Sequence, residues 1–158
     1  MQFDIQSFSK AVCRDKRTLE MFRNLVNYAY IRVINYHNTN SLNREQFERE
    51  IAYYSKHFSP VKPEDLDVFF ETKKWPKEKP GLIPALYDGF RNQYDTLTPL
   101  LEKYDFTGWY FIPAFFPDVP IKEQRRYAES HELMVKGTNV YPDDRIALSW
   151  QEIREISK

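Results

Sequence analysis

The residues with the clearest chemical potential are Asp88 and Gly89, which follow Tyr87 at the close of the apolar run Gly81 to Leu86, GLIPAL. A carboxylate at a strand's end can hold a cation or a proton, and an isolated Asp-Gly is also common in an ordinary turn or cap. The three histidines, His37, His57 and His131, are scattered, and Cys13 is the single cysteine. That inventory excludes a disulfide within the chain and leaves no zinc-ribbon or finger spacing. Cys13 falls in a helical stretch with no histidine nearby in sequence and reads as an inert thiol. His37, just after a strand-like run, reads by default as a hydrogen-bonded histidine. Trp109, Tyr110, Phe111, Phe115 and Phe116 have the shape to stack on sugars, although aromatics in and after a strand are more often core. Lys73, Lys74, Lys77 and Lys79 alternate with Glu71 and Glu78 and read as a solvated loop.

The elements that must position these residues follow from periodicity. Leu19, Phe22, Val26 and Ala29 share a helical face and predict a packing helix from about Ser9 to Tyr28. IRVINY, from Ile31 to Tyr36, is rich in β-branched and aromatic residues and predicts a buried strand, with the turn-forming run His37 to Ser41 after it. Asn43 with Gln46 has the pattern of a capping box, opening a helix of Phe47, Ile51, Tyr54 and Phe58 that Pro60 stops. Pro63, with Glu64 and Asp65 in the first turn, opens a short helix carrying Leu66, Phe69 and Phe70.

Gly81 to Leu86 predicts the second strand, but Pro84 argues against a central place, since proline cannot donate to a ladder. A helix is expected from Asn92 to Tyr104, with Pro99 bending it or marking its true start. Thr107 to Ile112 predicts the third strand, and the charged stretch Ile121 to Val135 predicts a helix. Ser149 with Glu152 caps a last helix, SWQEIREISK. Strands alternating with helices predict β/α units with a parallel sheet.

Composition narrows the function classes. With 158 residues, 23 Lys+Arg against 23 Asp+Glu and no concentrated basic stretch, the chain lacks the electrostatic footprint of a nucleic-acid binder. A mean hydropathy of −0.67 and the lack of a long apolar run argue against a membrane span. The N-terminus, MQFDIQSFSK, shows no apolar signal segment, so the default expectation is a cytoplasmic protein.

At this point the sequence resembles the polysaccharide deacetylase (NodB-homology) family, over about Ile31 to Lys158. The resemblance is carried by the strand ending in Tyr36 and His37, by NREQFEREIAYYSKHF and PEDLDVFF, and above all by ALYDGFRNQYDTLTPLLEKYDFTGWYFIP. The closing LSWQEIREIS also looks like the helix that precedes the family's second motif. The resemblance implies an α/β fold, a partial irregular (β/α) barrel with an added N-terminal helix. It divides the chain into residues 1–30, a helical extension, and residues 31–158, an incomplete deacetylase-like domain. A closed barrel takes roughly 200 residues or more.

It implies metal-dependent removal of acetyl groups from N-acetylated polysaccharides or oligosaccharides. In the family, the first Asp of an Asp-Asp-Gly motif is the base. The second Asp and two histidines of a His-x-x-x-His motif hold a divalent metal, commonly zinc. By that alignment Asp88 is the metal ligand, and Tyr87 stands at the base position, where a neutral phenol cannot replace a carboxylate. Four residues beyond the histidines stand Ser41, Val61 and Val135, so His-x-x-x-His is absent. The missing imidazoles would have to come from a longer chain, and the piece in hand is expected to be inactive alone. The alternative is a non-catalytic relative that binds saccharide or a protein partner.

Overall fold

The computed structural model of the chain describes residues 16–27 and 29–157. The elements are α1 (Lys16–Val26), β1 (Ile31–Tyr36), α2 (Arg44–His57), β2 (Ser59–Pro60), α3 (Pro63–Thr72), β3 (Gly81–Tyr87), α4 (Thr98–Lys103), β4 (Trp109–Phe111), α5 (Ile121–Ser130) and α6 (Trp150–Ile156). The first expected helix is α1; residues 9–15 and Tyr28 of that expectation lie outside the described residues. Its expected packing role is not met, because Leu19 and Phe22 are exposed. Ala29, past the helix end, packs against a core cluster.

All four strands are parallel. β3 is central and buried from Gly81 to Leu86, as a parallel strand covered on both faces must be. β1 pairs with it along Ile31↔Gly81 to Tyr36↔Leu86. On the other edge, β2 pairs at Gly81 and Leu82, and β4 pairs from Ala85 to Tyr87. Pro84 therefore sits centrally, contrary to expectation, and the ladder shows why. The Gly81 amide donates to Tyr30 on the β1 side, while the Pro80 carbonyl accepts from Ser59 on the other. Alternation then aims the Pro84 nitrogen at the gap between β2 and β4, where its missing N–H costs no ladder bond.

The same alternation sorts the core. Leu82 and Leu86 pack with Phe47, Ile51, Leu97, Leu100, Leu101 and Phe106, beneath α2 and α4. Ile83 packs on the opposite face with Val61 and Trp75, joined by Leu66 and Phe69 of α3. A third cluster, with Phe90, Phe116 and Ala128, lies beyond the strand ends. The sheet is open and does not close into a barrel. β1 is consequently a half-exposed edge strand and not the buried one its composition predicts; Val33 is 52% exposed.

Local chemistry corrects three further expectations. Asn43 makes no cap bond; Asn40 instead accepts from the Leu42 amide at 2.9 Å, and Gln46 turns to Glu50. The helix expected to reach Val135 stops at Ser130, because Glu132 is left-handed at φ 57°. There the Leu133 and Glu132 amides return to the carbonyls of Ala128 and Glu129, with Leu133 packed on the cluster that holds Ala128, the Schellman arrangement. The lysine loop is partly tied down, since Lys77 donates to the Pro60 carbonyl and pairs with Asp65.

Ser149 and Glu152 form the expected capping box, with Arg145 added as a bidentate partner at 2.7 and 2.8 Å. Burial pushes the Glu152 carboxyl up, but the bonds from Arg145 and Ser149 outweigh it and hold the carboxyl below the ordinary glutamate range. A depressed carboxyl contributes stability that is present above its unfolded value, about 4.3, and lost as pH falls through the folded value. Urea unfolding midpoints should therefore drop more steeply below pH 4 for the wild type than for Glu152→Gln, which has already lost the contribution.

Candidate functional site at the sheet rim

β1, β3 and β4 end level with one another, since Tyr36 pairs with Leu86 and Tyr87 with Phe111. His37 thus stands beside Tyr87, and three rings line up across the rim. The His37 and Tyr87 rings stack at 5.3 Å and 23°, and the Tyr87 and Phe111 rings at 4.8 Å and 11°. β1 and β4 flank opposite edges of β3, so the phenol of Tyr87 is sandwiched face to face. Its hydroxyl makes no hydrogen bond among the described residues.

Asp88 follows in a left-handed conformation, φ 75°, with Gly89 at φ 69° behind it. Two successive positive-φ residues swing the chain off the strand end, and aspartate tolerates this better than most side chains. The turn is clamped from the far end of the chain. Leu148 donates to the Gly89 carbonyl at 2.9 Å, and Arg91 donates to that of Ile146 at 2.7 Å. The bend carries the Asp88 carboxylate to His37, with Nδ1 and Oδ2 3.1 Å apart. The Met134 amide donates to the same oxygen at 3.2 Å. Asp88 is largely shielded, at 12% side-chain exposure, against 38% for His37.

Supporting residues that sequence reasoning missed lie just behind. Gln93, fully buried, donates its Nε2 to the His37 carbonyl at 3.0 Å and also to the Tyr87 carbonyl, tying the ends of β1 and β3 together. It reaches both because residues Gln93–Leu97 form a wide π-type turn before α4 begins at Thr98. The helical run is continuous from Arg91 through the π-type turn to Lys103, so Pro99 lies inside it and does not mark its start. Asn92, also buried, donates to Asn38 Oδ1 at 2.6 Å. This leaves the Asn38 amide to hold the loop that covers Asp88, through the Met134 and Lys136 carbonyls and Thr138 Oγ1. The signal was an unusual density of Asn and Gln after two strands, in HNTN and RNQ.

The remaining candidates separate. His57 and His131 pack against Tyr53 and Tyr127, apart from the rim. Phe116 is core, whereas Phe115 is exposed. As a metal centre the rim is incomplete. One carboxylate, already accepting two bonds through one oxygen, and one imidazole fall short of the three protein ligands of a catalytic zinc. No group of three His, Cys, Asp or Glu able to hold an ion occurs among the described residues. No helix among them is long and apolar enough to cross a membrane.

Known structures share this framework. The chain is similar to the Streptococcus pyogenes deacetylase PplD in complex with acetate, at 12% identity and a TM-score of 0.53, over 82% of this chain and 51% of that one. It is similar to IcaB from Ammonifex degensii at 16% identity and 0.53, over 82% and 48%. It is also similar to a de-N-acetylase from Aggregatibacter actinomycetemcomitans at 13% identity and 0.52, over 82% and 48%. The chain thus spans about half the length of these proteins, and at such identities the likeness is one of fold. No protein-family model and no curated protein matches the chain.

Proposed function

We propose that residues 31–158 form part of a polysaccharide deacetylase-like unit, related to enzymes that remove the N-acetyl group of acetamido sugars. The observation that carries this reading is the position of Asp88. It is a shielded carboxylate on a left-handed bend at the C-terminal rim of a parallel sheet, where β/α folds build their sites, in a fold that deacetylases share. Asp88 would contribute one ligand to a divalent metal, zinc by preference, whose two imidazoles would have to be supplied from outside these residues.

In isolation the chain holds neither that ligand set nor a carboxylate at the position of Tyr87, and it is expected to be catalytically silent. Purified chain incubated with zinc or cobalt and an acetylated chito-oligosaccharide should release no more acetate than the metal-free control. Release above that control overturns the expectation of inactivity. A saccharide-binding role without hydrolysis is the second reading, and it is favoured by the exposed ring of Phe111 beside the unbonded hydroxyl of Tyr87.

A further inference from the structure

Tyr87 stands where a proton acceptor is expected, yet its setting is not that of a lost side chain tolerated at a surface. Both faces of its ring are covered, by His37 on the β1 side and by Phe111 on the β4 side. Gln93 pins the backbone carbonyl of Tyr87 itself, and that of His37, from behind. Such a phenol has one edge to offer, and that edge carries an unused O–H donor. The neighbouring Asp88 uses Oδ2 for His37 and Met134, which leaves Oδ1 as an acceptor wherever no metal claims it. His37 touches both residues, so the donor and the acceptor flank the same imidazole. A donor beside an acceptor complements a secondary amide, which presents one C=O and one N–H. Phe111, 49% exposed as a residue, offers the ring face not covered by Tyr87 as an apolar platform alongside.

We infer that Tyr87 is a ligand-holding residue, whose hydroxyl donates to the acetamido carbonyl of a saccharide lying against Phe111. This rests on the deacetylase-like reading and deepens it: the tyrosine exchanges proton abstraction for recognition of the N-acetyl group. A rigidly held donor loses little freedom on binding, and a single hydrogen bond of this kind is worth about tenfold in affinity.

Calorimetric titration of the whole chain in EDTA with the N-acetylated chitotetraose, and with the fully deacetylated tetramer, tests this directly. The wild type should bind the acetylated tetramer about tenfold more tightly than the deacetylated one. Tyr87→Phe keeps the stacked ring and should lose about tenfold for the acetylated tetramer alone, with an unchanged melting temperature. Equal binding of the acetylated tetramer by both proteins overturns the role of Tyr87 and leaves the carbohydrate reading standing. An equal loss for both tetramers overturns the assignment to the acetyl group. Failure of the wild type to bind either tetramer overturns the inference and removes support from the saccharide-binding reading as well.

Discussion

Gln93→Glu should unfold about 3 kcal/mol more easily than the wild type at neutral pH, although glutamate matches glutamine in shape. The wild-type amide directs one nitrogen at two carbonyl oxygens, those of His37 and Tyr87, in a fully buried position. A carboxylate there replaces a donor by a third acceptor and places a charge where water cannot solvate it. Protonation restores a single O–H donor, so burial and the facing carbonyls must raise the carboxyl above its unfolded value. A raised carboxyl makes the folded state the better proton binder. The lost stability should therefore return as pH falls through the folded value and be fully restored to its low-pH level below the unfolded one. Urea midpoints from pH 7 to pH 4 should converge on the wild type. A constant difference across that range would mean that the donated bonds are not what Gln93 contributes. Gln93 Oε1 is itself buried without a partner, so the side chain is kept for its nitrogen at a cost on its oxygen.

Gly89→Ala is expected to cost about 2–4 kcal/mol, from two causes that add. At φ 69° an alanine is strained, and its Cβ would stand 2.7 Å from Cγ2 of Ile112, on the chain just past β4. That methyl is branched directly from the Ile112 Cβ, itself 3.4 Å away, so relief requires the Ile112 side chain to turn or the backbone of one strand end to move. Chemical denaturation measures the loss. Pairing the change with Ile112→Ala, which removes the obstructing methyl, should recover the steric part and leave the conformational part, about 1–2 kcal/mol. No recovery would place the whole cost in the backbone.

Periodicity located most elements because each buries one stripe. Phe47 and Ile51 sit at the helical spacing that chose them, and the capping box at Ser149 is a strictly local event. Tertiary contacts decided what was not legible. Its missing donor alone places Pro84 at an edge, but the direction of that nitrogen depends on which strands lie on either side. IRVINY has the composition of a buried strand and lies at an edge, since burial is a property of neighbours. At the rim, Tyr87 and Asp88 were visible by their position after a strand. Their link to His37 spans about fifty residues of sequence and depends on a left-handed bend that no spacing rule reports.

The interruption opposite Pro84 also bears on self-association. An added strand needs a continuous row of free donors and acceptors, and the edge of β3 shared by β2 and β4 offers none. Its two short ladders are separated by a position that cannot donate. Cross-chain zippering on that side finds only the short outer edges of β2 and β4, so the outer margin of β1, six residues long and guarded by the exposed cation of Arg32, is the longest unpaired edge among the described strands.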